Sequence, residues 1–407
     1  MSSQHFDVVV VGAGASGCSA AIHAARLGAS CVVFEKQKAA LRKVIASGNG
    51  QCNITNRAVS VEHYHGSNTE ACRSVFSRFD VEAAFDFFAS LGLHLREKDD
   101  GRIYPYSMQS ATVERAILEE MKRRNIEIHL HRKISKITPQ GNSLLLETEG
   151  HEHITAGAVV LACGSRAFGP LGGAADVYDL CRAIGHSVSA TIPSLLPLSI
   201  KERNIRRLEG IKWDVLCRVL VDGRKRCEAE GELLFTKYGI SGPVVIDISG
   251  CVNRSLCAGD QTLIEIDFFP AMSEDEAGDF LAPVFELYDN QDPVAALELI
   301  FKKRMAPVLL EGKVNCTCVE AARLLKHYRL TPDAPRTFDE AMVCAGGIPL
   351  SEISTKTFES KKLKNLFLCG EVLDIDGDCG GFNLHFAWAT GSVAGIAAAT
   401  SSLQNHR

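Results

Sequence analysis

Residues 6–11, FDVVVV, form an unbroken apolar run rich in β-branched side chains, the pattern of a strand buried on both faces. GAGASG follows, then the small and apolar residues of CSAAIHAARLG, which predict a helix, and CVVFEK predicts a second strand. An apolar period near that of a helix recurs over 80–95, RIYPY interrupts it with proline, and a further helix is expected at 112–124. Strand-like segments follow at 126–130, 134–138, 143–148 and 158–162, and TIPSLLP at 191–197 marks a proline-rich exit from this region. Short β-like runs then alternate with turn residues over 198–268 (VLCRVLV, CEAEGELLF, VVIDIS, LIEIDFF) and predict a small β domain. Over 273–327 the pattern turns helical, with SEDEAGDF opening one helix and VAALELIFKKRM supplying another. A strand-like run returns at 337–344, NLFLCGE reads as a buried strand ending in glycine and acid, and a last Ala- and Gly-rich helix covers 384–400. The order implies an insertion: a doubly wound α/β domain whose final strand and helix come from the far end of the chain.

Composition narrows the function classes. With 407 residues and 46% apolar side chains, the chain exceeds the size at which one core stops growing, so more than one domain is expected. A net charge of −5 and only short basic runs, MKRRN and KERNIRR, give no electrostatic footprint for nucleic acid. The 15 cysteines, odd in number and scattered through predicted strands and helices, read as buried thiols of a reducing compartment, and no spacing supplies a metal site. Neither a long apolar span nor a signal-peptide pattern is visible, so a cytoplasmic protein without membrane contact is expected.

The strongest chemical signal is Gly12-x-Gly14-x-x-Gly17 between strand and helix, with Glu35 at the end of the next strand. The first glycine permits the tight turn, the second lets backbone N–H groups approach a pyrophosphate, and the third allows close helix–strand packing. An acid at Glu35 accepts from ribose hydroxyls and disfavours a 2′-phosphate, so FAD or NAD is expected over NADP. The second signal is distant: Gly370-Glu371 ends a strand, and Gly380-Gly381-Phe382-Asn383-Leu384 opens a helix. Glu371 suits ribityl hydroxyls, and the helix N-terminus suits negative charge on the pyrimidine side of a reduced isoalloxazine, a site that an NAD enzyme does not need. VVLACGS adds a strand reaching the same side through Ala162, Cys163 and Gly164.

Between these signals lies SGNGQCNIT. Dithiol flavoproteins place two cysteines about four residues apart in this region, and the next cysteine after Cys52 is Cys72, so the loop reads as a backbone cradle. Gly48 and Gly50 leave N–H groups free to face phosphate or ring oxygens, with Asn53 and Thr55 completing the contacts. Ala13, Ala15, Ser16, Lys36, Lys43, Cys52 and Ile134 complete the candidate cofactor contacts.

VVGAGASG, KVIASGNGQCNITN, GRIYPYSMQSATVERAI, GELLFTKYGISGPVVIDIS and LFLCGEVLDIDGDCGGFNLHFAWATGSVAGIAAA together resemble the BaiN-like (YhiN-type) NAD(P)/FAD-dependent oxidoreductases, a branch of the two-dinucleotide-binding-domain flavoproteins. The resemblance implies a Rossmann-like FAD domain (1–192 and 345–407), interrupted by a β-barrel-like domain (193–272 and 328–344) that itself carries a helical insertion (273–327). It further implies reduction of a conjugated C=C bond or a related flavin-linked oxidation, with steroid-like enones as substrates in one branch. Two positions depart from the family pattern: Gln51 stands where an arginine is usual, and Lys237 where a histidine is usual.

Flavin carries the hydride chemistry in such a protein, which needs in addition an enolate-stabilising group and a proton donor. Arg102, Tyr104, Tyr106, Lys237, Tyr238 and His385 are the candidates, each with a structural alternative as packing residue or solvated charge. A second Gly-x-Gly-x-x-Gly is missing, so NAD(P)H, if used, binds transiently in the substrate cleft. A flavoprotein oxidase of a small amine or alcohol and a flavin-bearing accessory or binding protein are the competing classes. Oligomeric state is not legible.

Overall fold

The computed structural model describes residues 4–288, 291–302, 304–311 and 316–405. Contacts divide the chain into two compact units, Met1–Thr191 with Val343–Arg407, and Ile192–Met342.

The first unit is built on a seven-stranded sheet. Strand β1 (Gln4–Val11) leads to helix α1 (Ala15–Arg26) and strand β2 (Cys31–Phe34), which pairs parallel with β1, Val9 opposite Val32. Val8, Val9 and Val10 are fully buried, as a central parallel strand covered on both faces requires. On its other side β1 pairs parallel with His153–Leu161, and Leu366–Leu368 pairs parallel with the end of that strand, Val159 opposite Leu366. Thus a strand close to the end of the chain lands beside one two hundred residues earlier, as the insertion pattern predicts. The hairpin Ile134–Gln140 and Ser143–Thr148 extends the sheet antiparallel, and Glu127–His129 borders β2.

The helix Phe382–Asn405 closes the unit against α1. Their backbones approach closely because Gly391 and Gly395 carry no side chain. A Cβ on Gly391 would lie 2.3 Å from Ser16 O, and one on Gly395 would lie 2.2 Å from Ala20 O. Ser19 Oγ donates to Trp388 O at 2.9 Å, which fixes the register. His385, fully buried on the same helix, donates from Nε2 to Phe79 O at 3.2 Å, so Nδ1 accepts from the Thr55 hydroxyl at 2.8 Å. Burial lowers its pKa to about 4, opposed in part by the Phe79 carbonyl.

In the second unit a six-stranded antiparallel sheet runs in the order Leu198–Ser199, Gly239–Ser241, Arg224–Thr236, Lys212–Val221, Thr262–Asp267, Tyr328–Leu330. The segments that follow its two outermost strands meet in an antiparallel bridge, Ile200 to Pro332. Between the last two strands lie the helices Glu274–Glu286, Pro293–Glu298, Met305–Leu309 and Cys318–Lys326. Capping boxes Ser273/Glu276 and Thr317/Glu320 start the first and last of them. Lys326, buried at the end of the last, donates to both Asp267 oxygens at 3.1 and 2.9 Å. Of the expected helical stretch 273–327, residues 289–290, 303 and 312–315 lie outside the described residues.

Three local expectations are corrected. VVIDIS, read as a β-like run, lies in the helix Pro243–Ala258: Gly242 at φ 96° turns the chain, Pro243 starts the helix, and Val244, Val245, Ile248 and Val252 form one buried stripe. The strand-like run at 337–344 reduces to Val343–Ala345, and VAALELIFKKRM is not one continuous helix. Among the described residues, no helix is long and apolar enough to cross a membrane.

Two predictions follow from this packing. Gly391→Ala or Gly395→Ala forces the two helix backbones apart and is expected to destabilise the protein by about 1–3 kcal/mol in denaturant unfolding, whereas Ala397→Gly only loses helix propensity, about 1 kcal/mol. The depressed pKa of His385 means that the unfolded chain binds this proton first. Its contribution is therefore full above about 6.5 and is lost as pH falls towards about 4, a change on the order of 3 kcal/mol. Unfolding free energies of wild type and His385→Gln should converge by about 2 kcal/mol between pH 7 and 4.5, and a pH-independent difference would refute the buried neutral imidazole.

Candidate active site

The first arm of the site is the turn between β1 and α1. Gly12, at φ 108°, has room for no side chain: a Cβ would lie 2.4 Å from Ala162 O. Gly17 packs as closely, its Cβ position lying 1.9 Å from Gly12 O. At Gly14, the N-cap of α1, nothing stands within 4 Å, so the helix N-terminus of Ala15 and Ser16 opens onto free space. Glu35, past the end of β2, accepts from Ala13 N at 2.8 Å and Gln37 N at 2.7 Å, which locks the carboxylate while each oxygen keeps a lone pair. Ala162, Cys163 and Gly164 follow the strand His153–Leu161, and the Cys163 thiol donates to Val11 O at 3.4 Å. Lys36 pairs with Asp176 at 3.0 Å, and Ile134, only 5% exposed, heads its strand.

The second arm comes from the end of the chain. Gly370, at φ 81°, donates to Thr390 Oγ1 at 3.0 Å, and a Cβ there would lie 2.4 Å from Ser16 Oγ. Beside it Glu371 pairs with Lys43 at 3.1 Å and accepts from Cys344 N at 3.3 Å. Gly380 and Gly381, at φ 130° and 103°, lead into the helix Phe382–Asn405. The Asn383 side chain is engaged with this approach: its Oδ1 accepts from Gly377 N at 2.8 Å and its Nδ2 donates to Gly377 O at 2.7 Å. What Asn383 and Leu384 present outward is therefore the N–H end of a helix.

The loop over 47–53 joins the arms. Gly48, Asn49, Gly50 and Cys52 all take left-handed conformations, with φ of 57°, 53°, 83° and 60°. Cys52 is fully buried, and burial pushes its thiol up to about 12, a shift the Ser47 hydroxyl only partly opposes, so the sulfur is inert. The Gln51 amide has no hydrogen-bond partner among the described residues. Asn53 Oδ1 is buried without a hydrogen-bond partner among the described residues, and a Cβ on Gly381 would stand 2.8 Å from it. An orphaned buried acceptor costs about 1–3 kcal/mol, so its presence beside two bare glycines fits a site completed by a bound donor.

The candidate catalytic side chains divide. Tyr104 is 7% exposed and borders Gly48, whose Cβ would lie 3.5 Å from its ring, while Lys98 Nζ sits 4.6 Å from the ring centre. Its phenol is raised chiefly by burial. Arg102 is half-buried beside Asp100 at 3.4 Å. Lys237 is an exposed residue of the second unit, between the strands Arg224–Thr236 and Gly239–Ser241. His385 has both ring nitrogens engaged inside the protein and holds no free proton position. Sequence reasoning missed His63, His65 and Asp378, which meet beside Phe382, the first residue of the second arm's helix. His63 Nδ1 lies 3.0 Å and His65 Nε2 2.7 Å from the two Asp378 oxygens, and the His63 ring stacks on Phe382 at 4.3 Å. Among the described residues, no group of three or more His, Cys, Asp or Glu side chains could hold a metal ion.

Comparison with known proteins agrees with this architecture. The chain is 35% identical to a 3-dehydro-bile acid delta(4,6)-reductase of Clostridium scindens, over 96% of this chain and 98% of that one. It is 24% identical to a ribosomal RNA dihydrouridine synthase of Escherichia coli, over 95% and 96% of the two chains. The fold resembles that of a 3-ketosteroid-delta4-(5alpha)-dehydrogenase from Rhodococcus jostii, with a TM-score of 0.52 at 13% identity over 97% of each chain. The model of the HI0933-like protein Rossmann domain matches residues 6–397, and the chain belongs to that family.

Proposed function

We propose that the chain is an FAD-dependent oxidoreductase that reduces a C=C bond conjugated to a carbonyl in a small molecule, with NAD(P)H as a transient donor. One observation carries this reading: two glycine-bared helix N-termini and the orphaned Asn53 Oδ1 belong to one unit. A single mononucleotide needs only the first of these. In this reading Gly12, Gly14 and Gly17 admit the pyrophosphate to the N–H groups of Ala15 and Ser16, and Glu35 accepts from the adenosine ribose. Glu371, tied to Lys43, meets the ribityl hydroxyls, and Asn53 and the N–H groups at Asn383 and Leu384 meet the flavin's polar edge. When bound, FAD supplies a hydride at N5. No cysteine or histidine among these contacts is an exposed nucleophile, which supports a non-covalent cofactor.

The relatives' names support the substrate class. A delta(4,6)-reductase by name acts on double bonds conjugated to a ketone, and forming dihydrouridine saturates the uracil C5=C6 bond, which is conjugated to a carbonyl. The shared chemistry is hydride addition to a polarised alkene. An RNA substrate is the second reading, favoured by the second relative. The net charge of −5 favours the small molecule, because phosphate backbones are held by clustered Lys and Arg. We also read the second unit as a barrel-like insertion, which the Ile200–Pro332 bridge supports, and the protein as cytoplasmic.

The purified protein is expected to be yellow, to release FAD on denaturation, to bleach anaerobically with NADH or NADPH, and to recover its colour with a steroid-like enone. Bleaching only by an amine or alcohol with reoxidation by oxygen would make it an oxidase. Dihydrouridine formed in a ribosomal RNA transcript, with no enone reduced, would select the second reading. A colourless protein without flavin would refute the proposal.

A further inference from the structure

Proton donation is the step for which the sequence offered several candidates and no decision among them. His385, next to the flavin-binding helix turn, cannot supply it: it is fully buried, and its two nitrogens are engaged by Thr55 and Phe79. His63 and His65 present the opposite arrangement. Each gives one ring nitrogen to Asp378, at 3.0 and 2.7 Å, and keeps the other without a partner among the described residues. Both side chains are about one-third exposed, 35% and 37%. The carboxylate between them stands two residues before Gly380, and Asn383 Nδ2 donates to the Asp378 carbonyl at 3.2 Å. His63 lies flat on Phe382, the first residue of the helix, and Tyr64 OH donates to Phe382 O at 3.0 Å. The strand Tyr64–Gly66 pairs antiparallel with Ile375–Gly377, which fixes His65 by backbone, and Asp378 N donates to His63 O at 2.9 Å, so each histidine is held by backbone contacts as well as by the carboxylate.

We propose that His63 and His65, held on Asp378, are the proton-donating pair of the reductase, an inference that rests on the enone reading above. A carboxylate that accepts from one imidazole nitrogen fixes the ring and stabilises its cationic form, leaving the opposite nitrogen to carry a transferable proton. Here that position is Nε2 of His63 or Nδ1 of His65. With FAD bound, its reduced form would supply the hydride that bonds to the β-carbon of the enone, and the π pair would move toward the carbonyl as an enolate. The imidazolium N–H bond then breaks, its proton forms the C–H bond at the α-carbon, and the neutral ring regains a proton from water. NAD(P)H would supply the hydride consumed in each turnover. The Asp378 carboxyl is pushed up by burial but held below its ordinary value by the hydrogen bonds from His65 and His63, so it stays ionised through the neutral range. The other titratable groups around the cluster are Glu62, which interacts with His63; Tyr64, which is buried; Asp376, opposite His65 in the ladder; and Cys379, next to Asp378.

Two measurements test the pair. In nitrogen NMR spectra of the imidazoles in the intact protein, Asp378→Asn should change the ring-nitrogen resonances and tautomer populations of both His63 and His65, because the carboxylate that faces His63 Nδ1 and His65 Nε2 is gone, and unchanged spectra of both would overturn the proposal. In the second, FAD-loaded protein is reduced with dithionite under anaerobic conditions and its reoxidation by an enone is followed against pH. His63→Gln with His65→Gln should slow reoxidation by 100-fold or more and abolish its fall at high pH, while either single change costs less because the other ring remains. Wild-type rates in the double variant would overturn the pair while leaving the reductase reading intact. A wild-type protein that no enone reoxidises would overturn the reductase reading, and this inference with it.

Discussion

The contact between α1 and the helix Phe382–Asn405 is the constraint on which the site depends. A cofactor that spans two helix N-termini needs both to be fixed, and these two helices are separated by the whole inserted unit in sequence. They stay fixed because Gly391 and Gly395 let one backbone touch the other at Ser16 and Ala20. The same approach places Gly370 against Ser16, so the turn carrying Glu371 and the turn carrying Gly14 are parts of one packed body. Close packing of this kind is stiff, since an added methyl cannot be absorbed by a backbone contact.

What was legible in the sequence was what is local. The strand, glycine turn, helix, strand and acid from Phe6 to Glu35 obey short-range rules, and the structure forms them in that order. The return of Leu366–Leu368 to the sheet was legible too, because an apolar strand ending in Gly370-Glu371 has little other use. VVIDIS was not, because β-branched residues favour a strand locally and only the turn at Gly242 with the buried stripe below it makes them a helix. The His63–Asp378–His65 cluster was not legible either. Its members lie more than 300 residues apart and meet only through the pairing of two three-residue strands, a register that no periodicity announces. His385 differs for the complementary reason: its position just after Asn383 and Leu384 suggested a role near the flavin ring, whereas helical geometry turns its ring inward onto Phe79.

The cysteines give a similar lesson in chemistry. Cys52 sits in the most unusual stretch of the chain, yet burial keeps its thiol protonated, and the unusual features belong to the backbone around it. Among the described residues, the Asn53 side-chain oxygen and the Gln51 amide of that loop have no hydrogen-bond partner, and both are neutral. A family member carrying arginine at position 51 would present a fixed positive charge there, so this chain differs from such a relative in the field at the loop.

The central claim is that the paired helix N-termini form a site for an intact dinucleotide flavin. Calorimetric titration of the cofactor-stripped protein with FAD and with FMN tests it most directly. The account predicts a single FAD per chain and at least 100-fold weaker FMN binding, because FMN lacks the ribose and adenosine phosphate that Glu35 and the turn at Gly12–Gly17 would hold. Equal affinity for the two, or no binding of FAD, would contradict it.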